Sequence, residues 1–242
     1  ETIQDAAGMS SSIDYTSEWP WHLYTPYGTT TFNYNEGPNQ VAGGWYRWAD
    51  ITEPNGGHQI YGFTSESALL FNGTPWIPSP FPASLVPGNL PAGTMLETNT
   101  VNRLNSFHWD QHQAPNIGYN FGDFMTLTTN DMQKARLRHW LNYSEGMYPD
   151  FALSLEIAPS QDSDGSTLGQ VTWFDYAGKP QGQNGEPGTQ IQPSLIARKL
   201  PDGSTSYQSF TRNSFGLPTG VTTTYGTDNP ALTRTYTLAY DP

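Results

Sequence analysis

The stretch that most constrains the fold runs from Leu200 to Thr219, LPDGSTSYQSFTRNSFGLPT, because it spells out a complete reversal of the chain. Asp202-Gly203 supplies a residue at ease with positive φ, as a tight hairpin corner requires. The following run, Ser204 to Phe210, is rich in strand formers, and Asn213-Ser214-Phe215-Gly216 turns the chain back again. Tyr207, Phe210 and Phe215 provide apolar area for such a hairpin to bury. A lone hairpin is marginal in water, so this one needs others beside it, and the rest of the chain should supply them.

It does so repeatedly. Asp5-Ala-Ala-Gly8 precedes a strand predicted over Ser10 to Tyr15, and Thr25-Pro-Tyr-Gly28 precedes Thr29 to Tyr34, where Phe32 and Tyr34 recur at period two. Pro54-Asn-Gly56-Gly57 leads into His58 to Phe63, and Trp45-Tyr-Arg-Trp48 reads either as a buried strand or as a platform for stacking a ligand. Further strands are predicted around Phe107-His108-Trp109 and over Gln170 to Phe174, Leu195 to Leu200, Thr219 to Tyr225 and Leu232 to Tyr240. Six prolines between Thr74 and Gly93 forbid regular structure there, which implies an extended loop packed across strands and anchored by Trp76 and Phe81. One helix is expected, from Asn130 to Tyr143, capped by Asn130 or Asp131 with Met132, Leu137, Trp140 and Leu141 as its apolar stripe; Ala135 to Leu141 also reads as a strand. The Gly- and Gln-rich stretch Gly178 to Gln192 is a linker or a long surface loop.

The high Gly and Pro content, 24 and 20 residues, raises the question of disorder. Eight Trp, 14 Tyr and 11 Phe answer it, since a disordered chain lacks the aromatics to build a core. The expected class is therefore all-β, built from antiparallel hairpins, and no domain boundary stands out over residues 1–242. With 10 Lys plus Arg against 22 Asp plus Glu, the net charge is −12, which argues against nucleic acid or an anionic membrane as partner. The absence of Cys excludes disulfides and thiolate chemistry, and there is no apolar run of membrane-spanning length. The sequence opens at Glu1 without Met and stops at Tyr240-Asp241-Pro242, where a turn would follow, so it reads as a piece of a longer chain.

Superposing the corners exposes a frame, aromatic-Asp-x-x-Gly, in Gln4-Asp5-Ala-Ala-Gly8, Phe174-Asp175-Tyr-Ala-Gly178, Arg212-Asn213-Ser-Phe-Gly216 and Tyr240-Asp241. Gln4 and Arg212 stand where Tyr belongs, and only Tyr240-Asp241 keeps the literal dipeptide. Longer strings accompany it: Tyr24 to Phe32, Arg103 to Asp110 and Lys134 to Leu141. This resembles the Tyr-Asp (YD) or rearrangement-hotspot (RHS) repeat family of bacteria. The resemblance implies that residues 1–242 are a single β-repeat region, a strip of antiparallel hairpins forming a curved sheet or part of a hollow shell, extracellular or on the cell surface, which encloses a toxin or serves adhesion. It also implies a non-catalytic role, with the same chain's other segments, neighbouring copies at exposed strand edges, or an enclosed polypeptide or glycan as partners. The family's self-cleaving C-terminal motif has no counterpart here, so no such residue is carried over.

Other chemistry is weighed against this. His108-Trp-Asp110-Gln-His112 would project three ligands to one side of a strand, yet zinc needs a further ligand, and polar hairpin residues around a packed Trp109 are the expectation. Asp162-Ser-Asp164-Gly-Ser166 opens like a calcium loop but has Trp173 where the closing Glu belongs, so a plain Asp-Gly turn is expected. No metal or cofactor is called for. Glu18, Glu53 and Glu97 lie near aromatics, the raw material of a glycan-cleaving enzyme, but no spacing selects a pair. Trp19, Trp21, Trp45, Trp48 and Trp76 either line a sheet or form the stacking face of a carbohydrate-binding β-sandwich, with Trp45 and Trp48 as the stacking candidates. The basic run Lys134, Arg136, Arg138, His139 either pairs with the chain's own carboxylates or meets an acidic partner. Asn72-Gly-Thr74 and Asn142-Tyr-Ser144 fit the glycosylation pattern.

Overall fold

The computed structural model describes residues 2–39, 44–65, 70–71, 74–75, 81–117, 127–142, 149–225 and 232–240. Its strands are β1 (Thr2–Gln4), β2 (Ser10–Thr16), β3 (Trp19–Thr25), β4 (Gly28–Asn39), β5 (Gly44–Thr52), β6 (His58–Thr64), β7 (Leu70–Phe71), β8 (Thr74–Pro75), β9 (Asn105–Trp109), β10 (Arg136–Asn142), β11 (Pro149–Ile157), β12 (Val171–Asp175), β13 (Leu195–Lys199), β14 (Thr205–Arg212), β15 (Pro218–Tyr225) and β16 (Leu232–Thr237). Apart from the small β7-β8 ribbon, the strands form a single 14-stranded sheet in the order in which they occur in the chain. Every pairing is antiparallel, and β1 and β16 stand at its two edges without pairing to each other. The expectation of an all-β antiparallel fold holds.

Four corners of this meander are one and the same backbone turn. In Asp5–Met9, Glu53–Gly57, Leu200–Ser204 and Asn213–Leu217, the fourth residue's N–H donates to the first carbonyl and the first N–H to the fifth carbonyl, all at 2.8–3.0 Å. The fourth residue is Gly in each, Gly8, Gly56, Gly203 and Gly216, with φ of 81°, 81°, 84° and 78°. That left-handed residue costs Gly nothing and costs other L-residues about 1 kcal/mol. Side chains stabilise the corner in two ways. Asp5 and Asn213, at the first position, accept from the N–H groups of the third and fifth residues at 2.9–3.0 Å. Asn55 and Asp202, at the third, accept from the fifth alone, at 2.8 and 2.9 Å. The two sequence signatures, Asp-x-x-Gly and Pro-Asx-Gly, are thus one turn with its carboxylate or amide in either of two places.

Asp175-Tyr-Ala-Gly178 does not follow suit. Gly178 has φ 79°, but the chain runs on from there through a loop to Ser194 instead of reversing into the next strand. The Asp175 carboxylate is spent on the Met95 N–H, at 2.7 Å, and on the Lys179 ammonium, at 3.1 Å. Gly28, with φ 127°, ends a two-residue turn in which Thr25 pairs with Gly28, and any Cβ there would stand 2.7 Å from Cβ of Pro54. Tyr240 donates its hydroxyl to the Pro218 carbonyl at 2.9 Å, while Asp241 lies outside the described residues.

The expected helix from Asn130 to Tyr143 is corrected. The helix α1 covers only Thr129–Gln133, and its cap is Thr128, in a reciprocal capping box with Asp131. After Ala135 the chain becomes β10, in which Leu137, His139 and Leu141 are buried while Arg136, Arg138 and Trp140 are half-buried. Period two defeats helix propensity here because β9 and β11 leave a strand-wide slot between them. Strand β3 also escapes the sequence reading, because its leading turn at Ser17-Glu18 has no Gly, Ser17 itself taking φ 57°, and because Pro20, which reads as a strand breaker, stands within it. Strand β11, FALSLEI after Pro149-Asp150, escapes it as well.

Side-chain alternation gives the sheet a covered face and an open one. On the covered face Trp48, Ile60, Phe107, Trp109, Leu137, Leu155, Ile157, Trp173 and Ala197 form one cluster with Phe81, Leu96, Val101, Leu127 and Met132 from the connections. The β6-β9 connection and the β12-β13 loop come over this face from one end of the strands; the β9-β10 and β11-β12 connections come from the other. Buried indoles tie them down: Trp109 Nε1–H donates to the Asp131 carbonyl at 2.7 Å and Trp173 Nε1–H to the Leu85 carbonyl at 3.3 Å. Each fully buried indole contributes on the order of 3 kcal/mol of transfer free energy. The proline-rich loop does pack across strands, with Phe81 edge-on to Trp173 at 5.2 Å, whereas Trp76, Pro78 and Pro80 lie outside the described residues. The core ends toward both edges: β1 is exposed throughout, β2 and β3 have no buried residue, and β16 is exposed at every position.

Candidate functional site

The open face carries the strongest candidate for a binding site. Cross-strand register brings Glu36 opposite Arg47, Tyr34 opposite Ala49, Ala49 opposite Tyr61 and Arg47 opposite Phe63. Trp19 closes one side, its ring 5.3 Å from that of Tyr34. Together these residues line a groove of about 450 Å³. Its walls are mainly aromatic, and its charged pair, Arg47 Nε to Glu36 at 3.2 Å, is solvent-exposed and self-neutralising. Burial pushes the Tyr34 phenol above its ordinary pKa, so it stays a neutral hydroxyl.

Beyond Tyr61 the face continues as a polar ladder. Tyr61 stacks on His108 with centroids 4.3 Å apart, and Gln59 links the Tyr61 hydroxyl, His108 Nε2 and Glu53 at 3.2–3.3 Å. Desolvation, reinforced by Arg138 and Arg136 against the opposing pull of Asp110, lowers the His108 pKa and favours its uncharged form. Glu156 then accepts from Arg136 at 2.6 Å and from Arg138 at 2.9 Å. Arg136, Arg138 and His139 of the basic run therefore lie on a strand, and the two arginines meet one of the chain's own carboxylates. His139 faces the other way into the core, and Lys134 donates to the Asn116 carbonyl at 2.6 Å.

Of the two stacking candidates, Trp48 is corrected. It borders the groove but is only 3% exposed and packs into the covered-face core, so its ring has almost no surface left for a ligand. Trp45 sits in β5 by its backbone, paired with Pro38, and its side chain lies outside the described residues. The accessible rings are instead Trp19, at 49% exposure, and Tyr61, at 41%. The alternation Phe32-Asn-Tyr34 marked this face in the sequence, but only strand register shows which aromatics share it.

The other constellations come apart. Strand β9 ends at Trp109, and Asp110 turns away to accept from the N–H groups of His112 and Gln113 at 2.8 and 3.2 Å, so His108, Asp110 and His112 do not converge. Asp164 accepts from the Ser166 N–H at 3.0 Å in an ordinary Asp-Gly turn. Among the described residues, no group of three or more His, Cys, Asp or Glu is placed to hold a metal ion. Glu18 and Glu53 occupy corners at opposite ends of the strands, and Glu97 is buried on the covered face, where it accepts from the Thr100 N–H at 2.7 Å. Asn72, Gly73, Tyr143 and Ser144, from the two glycosylation patterns, lie outside the described residues.

No protein-family model and no curated protein matches the chain. Among the described residues, no helix is long and apolar enough to cross a membrane.

Proposed function

We propose that this chain is a non-catalytic wall segment of a large secreted or cell-surface protein of the YD/RHS type, contributing hairpins to a β-shell or fibre wall that encapsulates or adheres. The observation that carries the reading is the state of the sheet's two ends. They lack the core that covers the middle, and they expose large apolar side chains: Ile3, Tyr15, Trp19, Tyr24 and Tyr27 at one end, Phe215, Tyr225, Leu232 and Tyr236 at the other. Exposed apolar area on this scale marks a contact surface, and the open edges β1 and β16 offer unpaired backbone groups for further strands. The recurrent five-residue corner supports a repeat architecture, in which units gain stability from neighbours. The deciding measurement is the mass and shape of the native polypeptide: a product several times heavier than this chain, seen by electron microscopy as a hollow particle or fibre, is expected. A native product of this chain's own mass that is monomeric in solution would sink the reading.

A second reading, a carbohydrate-binding module, is favoured by the groove at Trp19, Tyr34 and Tyr61. Pyranose rings stack on such aromatics, and the paired Glu36 and Arg47 offer acceptors and donors to hydroxyls. Glycan-array binding that is lost in Trp19→Ala and Tyr61→Ala, with folding intact, would support it; an array without signal would dismiss it.

A further inference from the structure

On the covered face, the β6-β9 connection and the β12-β13 loop meet over a buried amine and a buried carboxyl. Lys179 Nζ lies 3.1 Å from Asp175 Oδ1, with the two side chains 2% and 8% exposed. The same Nζ donates to the carbonyls of Met95 and Asn184, both at 3.0 Å. Asp175 Oδ2 accepts the Met95 N–H at 2.7 Å, whereas Oδ1 has no hydrogen bond of good geometry. Glu97, also buried, lies close enough for its charge to act on the amine. Burial away from water lowers the Lys179 pKa, with Asp175 and Glu97 opposing the shift, and an ion pair in such a place gains little over its uncharged form.

The uncharged form is set up to react. A neutral amine has two N–H bonds, and two main-chain carbonyls take both. Its lone pair is then left to the remaining neighbour, the Asp175 carboxyl. The Met95 N–H already points at Oδ2, where negative charge would develop during attack on Cγ, which is the arrangement of an oxyanion hole.

We propose that Lys179 and Asp175 condense to an intramolecular amide that staples the base of the β12-β13 loop beneath the β6-β9 connection. One Nζ proton first passes to Oδ1 across the 3.1 Å contact, leaving a neutral amine and a neutral carboxyl, and Nζ then bonds to Cγ while Oδ2 takes up negative charge against the Met95 N–H. A second Nζ proton then passes to the Oδ1 hydroxyl. The Cγ–Oδ1 bond then breaks, Oδ1 leaves as water, and Oδ2 returns to a carbonyl that still accepts from Met95. The water carries two of the three ammonium protons and the third stays on the amide nitrogen, so no oxidant or further reactant is needed. The remaining amide N–H keeps one of the two carbonyls satisfied.

The test is the intact mass of the purified full chain under denaturing conditions. A mass one water below that of the sequence is expected, with fragment ions missing between Asp175 and Lys179 in a peptide that spans both. Cyclisation at Asp164-Gly165 or Asp202-Gly203 would lose the same mass, but hydroxylamine cleaves a succinimide and leaves an amide intact. Lys179→Arg should restore the full sequence mass. Wild-type chain at full mass, or a water loss that maps to an Asp-Gly pair, overturns the proposal without requiring any variant to fold.

Discussion

His139 should make this protein's stability fall between pH 7 and pH 5, before ordinary carboxylates begin to titrate. Its ring is 2% exposed in β10, between the buried Leu137 and Leu141, and Nδ1–H donates to the Arg103 carbonyl at 2.6 Å. Burial lowers its pKa from 6.5 to about 4, only partly opposed by that carbonyl. In the unfolded chain the imidazole takes up its proton near pH 6.5, whereas the native protein resists until about pH 4. Within that window the unfolded state binds more protons, so stability is complete above pH 6.5 and declines as the pH falls. At about 1.4 kcal/mol per pH unit, the loss reaches about 2 kcal/mol at pH 5 and about 3 kcal/mol at pH 4. A domain holds only about 5–15 kcal/mol in all, so the effect is large. His108, its pKa also lowered by burial, adds to the trend with the same sign. Urea unfolding followed by tryptophan fluorescence at pH 7 and pH 5 measures it, with His139→Asn as reference because the amide keeps a donor near Nδ1. Wild type should lose about 2 kcal/mol more than His139→Asn across this interval. Equal losses in the two proteins would refute the assignment of a buried, neutral imidazole.

Three further outcomes follow from single contacts. Asn213→Ala removes the acceptor for the N–H groups of Phe215 and Leu217 and should cost about 1 kcal/mol, read as a lower melting temperature, while Asn213→Asp should stay near wild type. A Cβ at Gly169 would stand 1.9 Å from the Ala158 carbonyl oxygen, so Gly169→Ala should destabilise by about 2 kcal/mol or more in the same assay. Glu156→Gln breaks two bridges to half-exposed arginines and should cost under about 1 kcal/mol, a difference that shrinks further in high salt.

Local grammar made the class of this fold legible. Asx and Gly at fixed offsets set the reversals at Asp5, Asn55, Asp202 and Asn213, because the left-handed residue and the side-chain acceptor act within five consecutive residues. Alternating aromatics marked the strands between them. The same grammar misled at Asp175, whose carboxylate is claimed by Met95, a partner 80 residues away that no local rule can see. It was silent at Ser17, where a turn forms without Gly, and it stretched α1 into β10, because Arg136 to Asn142 satisfies helix and strand patterns about equally until β9 and β11 choose between them.

What the sequence determined by itself was therefore a meander of antiparallel hairpins with an aromatic interior. What tertiary structure decided was the side of the sheet on which each ring lies. Side chains alternate along a strand, so a shift of one residue in register exchanges core for surface. By that rule Trp48 is consigned to the core while Tyr61, one strand away, is turned outward toward Tyr34 and His108. The Lys179-Asp175 contact is within reach of a sequence reader, at a spacing of four, but its burial and the two carbonyls that hold the amine come from connections folded over the opposite face.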